Sequence, residues 1–219
     1  MEIRHKFQEE LRKLVQSIER MSVLVEESIR KAFHALEVGD KALAQQVIDQ
    51  DERIDEMQRD VEYQCTTIIA TEQPVAGDLR ELITAVKIVS NIERIGDHAR
   101  HLARSVISVD PEHMAFAVAD LKRMADIALA MLEEAITGFA GRDGEQARAA
   151  AARDDEIDEI HATLQKKITD RMKEEPSFVE DGSTLLFLNR FMERFGDHVT
   201  NICEWVNFSQ TAEYVELNE

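Results

Sequence analysis

Apolar positions recur at steps of three and four residues along most of the chain, and short polar breaks cut the pattern into six lengths. The breaks carry residues that end or start helices. Gly39 stands as a stop just past one length, and Asp40 as the N-cap of the next. Pro74 and Gly77 interrupt the chain before a restart at Asp78. Asp110 precedes Pro111 in the order expected of an N-cap and a first helical residue. Gly138 to Gly144 close the fourth length, and Pro176 to Gly182 separate the last two. Helices are predicted over 2–38, 40–71, 77–108, 111–139, 144–174 and 182–209. Each is about 30 residues, or ~45 Å, and long helices joined by short turns favour antiparallel bundles.

The six lengths repeat as three plus three. In the third and sixth, Ile88, Ile92, Ile95, Ala99, Leu102 and Val106 correspond to Leu188, Met192, Phe195, Val199, Ile202 and Val206, a shift of 100 residues. In the second and fifth, "DERIDEM" from Asp51 corresponds to "DDEIDEI" from Asp154, a shift of 103, and Val61 and Cys65 correspond to Leu164 and Ile168. The three-residue difference falls where the turns lie. The expected fold is all-α, a duplicated three-helix bundle with halves 1–109 and 110–219.

Composition agrees with this reading and narrows the partners. Only 8 Gly and 3 Pro interrupt a chain of 219 residues, which favours long helices. Asp plus Glu number 44 against 26 Lys plus Arg, a formal charge of −18 that argues against nucleic acid or an anionic membrane as direct partner. Cations and basic protein surfaces remain open to it. No run of ~18 apolar residues is present to span a membrane. The first residues, "MEIRHKFQEELRKL", are charged and amphipathic rather than signal-like, so a cytoplasmic protein is expected. Cys65 and Cys203 do not correspond in the repeat and are expected as buried thiols in a reducing compartment.

Within the acid-rich chain, one arrangement repeats. "NIERIGDHA" from Asn91 and "FMERFGDHV" from Phe191 each hold Glu-Arg-x-Gly-Asp-His, with Glu93/Asp97 and Glu193/Asp197 four residues apart. Asp51/Asp55 and Asp154/Asp158 have the same spacing on the preceding helices. On a helical projection Glu193 and Asp197 lie roughly 160–170° from the centre of the apolar stripe, and Glu93 and Asp97 about as far. The aspartate pairs of the second and fifth lengths sit roughly 100° away, on a flank. Like charges at i,i+4 repel, and a hard or borderline cation is the simplest offset for two such pairs on neighbouring helices. Gly96 and Gly196 cost ~1 kcal/mol of helix propensity each, which suggests a close approach beside the acids. The alternative is a solvated acidic face. His98 and His198 are expected as surface histidines in preference to partners of the acids, and Arg94 and Arg194 as bridges to acids of an adjacent helix. No phosphate loop, CxxC pair or activated nucleophile is recognisable. "DEIH" at Asp158 and "EIRH" at Glu2 have a di-iron spacing but do not repeat each other.

With these residues the chain resembles the PhoU family of regulators that accompany bacterial phosphate uptake, over essentially its whole length. The resemblance rests on "NIERIGDHA", "MERFGDHVTNI", "DERID", "DDEID" and the three-plus-three helix pattern. It implies metal ions, as multinuclear clusters in some members, at Asp51/Asp55 with Glu93/Asp97 and at Asp154/Asp158 with Glu193/Asp197. It further implies a homodimer without enzyme activity, repressing the phosphate-starvation response through the ATP-binding subunit of the phosphate ABC transporter and a sensor histidine kinase. All-carboxylate sites suit magnesium, manganese or iron, whereas zinc prefers nitrogen or sulfur ligands. A di-iron-type enzyme and a metal-free scaffold are the alternatives. Two departures from an exact repeat stand out: Phe191 in place of Asn91, with Asn189 displaced by two, and Asn201 in place of His101.

Overall fold

The computed structural model describes residues 2–217, with side chains from Lys6 onward, so the Glu2/His5 spacing lies outside the described side chains. The chain runs through α1 (Glu2–Val38), α2 (Lys41–Glu72), α3 (Gly77–Ser108), α4 (Pro111–Ala115), α5 (Val118–Gly141), α6 (Gly144–Ala151), α7 (Asp154–Glu174), a 3₁₀ turn (Pro176–Phe178) and α8 (Val179–Thr211). Among the described residues there is no strand, and no helix is long and apolar enough to cross a membrane.

The expected punctuation forms the first turn and two of the later ones. Gly39 takes a left-handed φ of 68°, which a side chain would resist, and the Asp40 carboxylate accepts from the N–H groups of Ala42 (2.9 Å) and Leu43 (3.0 Å). Asp110 caps Glu112 N at 2.8 Å ahead of Pro111, and Asp143 caps Glu145 and Gln146 at 3.1 and 3.0 Å. The third helix differs slightly. It starts at Gly77 without a side-chain cap, and Asp78 lies in its first turn, where a carboxylate favours the positive end of the helix dipole.

Two expected helices are each broken in two. After α4, Phe116 N bonds His113 O (3.3 Å) and Ala117 N bonds Met114 O (3.0 Å), a tightened turn that re-aims the chain into α5. After α6, Arg153 N bonds Ala150 O at 3.1 Å and the axis is reset before α7. Neither break carries Gly or Pro, and the alanine-rich run before Arg153 has no apolar rhythm for a break to disturb.

Helices α1, α2 and α3 pack on one another, and α5, α6, α7 and α8 do likewise, with α3 against α8 and α1 against α5 joining the two groups. Buried residues of α1, from Phe7 through Leu14, Met21 and Ile29 to Leu36, follow the three-and-four spacing of one helix face. Helices α3 and α8 bury more than one face because each meets its own bundle and the other: Ile88, Ile92 and Ile95 are fully buried, as are Phe195, Val199 and Ile202. The apolar cores of the two groups are continuous.

Candidate metal centre

The seam between α3 and α8 explains the departures from exact repetition. His98 and His198 face each other with ring centroids 5.6 Å apart. The Nδ1–H of His198 donates to Asn91 Oδ1 at 3.0 Å. On the other side of the approximate two-fold, Phe191 occupies the place of Asn91 and stacks on His98 (5.2 Å) and His101 (4.6 Å). The first half therefore offers an amide to the facing histidine and the second an aromatic ring. His98 is buried, not at the surface as expected, and neither ring nitrogen finds a hydrogen bond. Burial, with the neighbouring His198 next, pushes its pKa down to about 3. His198 falls to about 4 by burial and by the Arg94 and Arg194 charges.

Beside this seam the carboxylates of the first half come together between α2 and α3. Asp51 is only 6% exposed and Asp55, Glu93 and Asp97 are half-buried, so they do not face solvent as the helical projection of α3 suggested. The reason is that α2 covers that side of α3. Burial raises the pKa of Glu93, and Asp97, Asp55 and Asp51 raise it further. Asp51 is raised by burial, against the pull of Arg100. Arg100 is the residue sequence reasoning missed. Its Nη1 donates to Asp51 on α2 and its Nη2 to Asp97 on α3, so one guanidinium spans the two helices. Arg94, expected to reach the neighbouring helix, instead meets Glu93 (3.5 Å) and Asp97 (3.4 Å) on its own.

The second half is arranged differently. Burial and the nearby Asp158 and Asp197 charges raise Glu193; burial and Asp158 also raise Asp197, which locates Asp158, Glu193 and Asp197 in one cluster between α7 and α8. His161 adjoins both Glu193 and Asp197. Its Nδ1–H donates to Asn189 O at 3.3 Å, while the fully buried Asn189 amide returns a bond to His161 O at 3.0 Å. That bond sets the tautomer and leaves Nε2 with a lone pair. Asp154 reaches the same helix at Gly196, next to Asp197. It is 3% exposed, and its Oδ1 packs against Gly196, on the side where its charge reaches Cys203.

The glycines prove to be points of close approach. A Cβ on Gly96 would lie 3.1 and 3.2 Å from two Ile54 methyls; on Gly196 it would overlap Asp154 Oδ1 and stand 3.0 Å from Ile157 Cδ1. Among the described residues, no three acidic, histidine or cysteine side chains converge on one point as placed. The second cluster still fits a cation by its donor set. Glu193 Oε2 is buried without a hydrogen bond, Asp158 is exposed beside it, and the Nδ1 bond of His161 leaves its Nε2 lone pair unused. In the first cluster the Arg100 guanidinium lies between the helices and pairs with Asp51 and Asp97.

Two helical repeats, each holding acidic motifs between its own neighbouring helices and joined through a histidine seam, define a duplicated bundle protein. The model of the family described as PhoU domain matches the chain twice, over residues 18–106 and 121–206. A phosphate-specific transport system accessory protein PhoU homolog of Streptococcus pneumoniae is 32% identical over 216 residues, covering 99% of this chain and 100% of that one. The Borreliella burgdorferi homolog is 35% identical over 98% of this chain and 99% of its own. The crystal structure of the phosphate transport system regulatory protein PhoU from Streptococcus pneumoniae superposes with a TM-score of 0.88 at 32% identity, over 95% of this chain and 99% of that chain. PhoU from Pseudomonas aeruginosa gives 0.86 at 32% identity, over 94% and 100%. The chain belongs to the PhoU family.

Proposed function

We propose that this chain is a regulatory adaptor of phosphate uptake. The observation that carries the reading is the end-to-end match to relatives named as accessory or regulatory proteins of phosphate transport, not as enzymes. The protein acts in the cytoplasm as a homodimer, on the ATP-binding subunit of the phosphate ABC transporter and on the sensor histidine kinase, and holds the starvation response off while phosphate is plentiful. A strongly acidic surface with a net charge of −18 suits basic faces on such partners.

The reading includes a metal ion in the second half, with Asp158, Glu193 and Asp197 as carboxylate ligands and His161 Nε2 beside them. Manganese or iron suits that mixed oxygen and nitrogen set better than magnesium does. When bound, the cation supplies charge neutralisation and a cross-link between α7 and α8, and no redox or hydrolytic step is assigned to it.

Deleting the gene, with a starvation-induced phosphatase reporter read at high phosphate, tests the regulatory role. Deletion is expected to switch the reporter on, and plasmid-borne wild type to switch it off again. A reporter indifferent to deletion overturns the proposal. Copurification of the ATP-binding subunit with tagged protein tests the partner.

A further inference from the structure

We infer that two copies of this chain pair through the outer face of the C-terminal half of α2, from Tyr63 to Ala70, packed antiparallel about a two-fold axis between Thr66 and Thr67. The inference rests on the homodimer in the proposed function and goes beyond it by assigning the face.

The charge pattern singles this face out. Along α2, Glu52, Glu56, Arg59, Tyr63, Thr67 and Ala70 follow one another at steps of three and four, so they share one side of the helix. All six are exposed; the first three are charged and the last three are not. From Tyr63 to Gly77 the one charged residue is Glu72, whose side chain is 10% exposed and bonds Lys6 at 2.9 Å. Tyr63 is 75% exposed, and Val75 in the turn that follows is 73% exposed. The Thr66 and Thr71 hydroxyls donate to the carbonyls of Glu62 (2.9 Å) and Thr67 (3.0 Å), so both are satisfied within the helix and cost little to cover.

The repeat supplies the contrast. With the shift of 103, Lys166 stands in the place of Tyr63, Asp170 of Thr67 and Lys173 of Ala70, and Lys173 bonds Asp170 at 2.7 Å. A charged, solvated outer side is the ordinary state of a bundle helix in a chain that is 32% charged. A contiguous uncharged patch in its place marks a protein contact.

Charge and side-chain size identify the occupant. Each copy carries −18, so two copies repel wherever both present acids, and they can meet only where charge is absent. A two-fold between Thr66 and Thr67 lays Tyr63 of each copy over Ala70 of the other, a ring against a methyl on both sides of the axis. Arg59 falls opposite Pro74 and Asp60 opposite Gln73, so no like charges are opposed. The same operation on α7 would set Lys166 over Lys173, like against like. A face this short lies at the low end of interface size, and the dimer it makes is reversible at micromolar concentration.

The test is sedimentation velocity of the full chain from about 5 to about 200 μM, a range that brackets such an affinity. The wild type is expected to pass from monomer to dimer, and at lower concentration in about 0.5 M than in about 0.05 M sodium chloride, because salt screens the repulsion between acidic copies. Thr66→Glu sets two glutamates beside the axis and is expected to weaken the dimer about tenfold or more. Thr169→Glu makes the same change at the corresponding place on α7, where the hydroxyl likewise bonds back to its own helix, and is expected to leave the dimer unchanged. Under mild oxidation Thr66→Cys is expected to give a covalent dimer and Thr169→Cys none, with Cys65 and Cys203 too deeply buried to contribute. Circular dichroism checks each fold, and the cysteine pair decides the matter if Thr66→Glu does not fold. A dimer undiminished in Thr66→Glu, or a disulfide that forms as readily at residue 169 as at 66, overturns this inference alone. A wild type that stays monomeric throughout overturns the homodimer and this inference together.

Discussion

Replacing each motif glycine by alanine separates two sites with the same local sequence. Gly96→Ala and Gly196→Ala both gain about 1 kcal/mol of helix propensity. At Gly96 the new methyl would stand 3.1 and 3.2 Å from Ile54 methyls and 3.6 Å from Val25 Cγ2, so a few side-chain carbons need to yield slightly. The gain and the crowding nearly cancel, and the net change is expected within about 1 kcal/mol of zero. At Gly196 the methyl would overlap Asp154 Oδ1 and press on Ile157 at 3.0 Å. Asp154 is 3% exposed, so its carboxylate needs to leave a buried position. Overpacking of this kind costs about 2–3 kcal/mol, leaving a net loss of about 1–2 after the propensity gain. For a chain of this size that lowers the melting midpoint by about 2–8 °C. Thermal unfolding followed by circular dichroism, with chelator present throughout so that bound metal plays no part, gives the comparison. A Gly196→Ala midpoint equal to or above that of Gly96→Ala would refute the argument that the Asp154 carboxylate fills the space the glycine leaves.

Other outcomes follow from single contacts. Cys65 and Cys203 are free and fully buried, and burial pushes both thiols up to about 12, so a thiol reagent at pH 8 should label neither in native protein and both after denaturation. Because the unfolded thiols ionise near 9 and the folded ones do not, stability should fall as pH rises from about 9 towards 12. The segment after α8 is tied back by Glu204, 5% exposed, which accepts from the Tyr214 hydroxyl (2.8 Å) and from Leu217 N (2.9 Å). Tyr214→Phe should cost about 1.5–3 kcal/mol in urea unfolding, and no change would show the tie to be dispensable. Phe191→Ala removes the ring stacked on His98 and His101 and should cost about 2–3 kcal/mol, less than a fully buried phenylalanine because Phe191 is only partly covered.

Much of the architecture could be read from spacing. The caps at Asp40 and Asp110 and the left-handed stop at Gly39 are local chemistry, settled within four residues, and each forms as expected. The breaks at Phe116 and Ala152 were not legible, because a tightened turn without Gly or Pro leaves no residue-level mark. Of the eight motif carboxylates, the first four gather between α2 and α3, and in the second half Asp154 lies against Gly196 of α8. Projection on a helical wheel placed the acids of α3 away from the core, and it erred because α3 is covered on a second side by α2. Comparing Arg100 with Thr200 across the repeat was the one available signal for the difference between the two clusters.

By itself the sequence determined the helices, their duplication and the pairing of acids at one turn's spacing, because all three are recorded in the periodicity of a single helix about its own axis. What lies across from each face was decided only in the tertiary structure. Arg100 meets Asp51 from 49 residues away, and His198 meets Asn91 from 107. Such contacts depend on how α2 and α8 pack against α3, and a one-helix rhythm carries no information about its neighbours. That packing turned two nearly identical motifs into a cluster bridged by a guanidinium and a cluster with a buried carboxylate oxygen left unbonded.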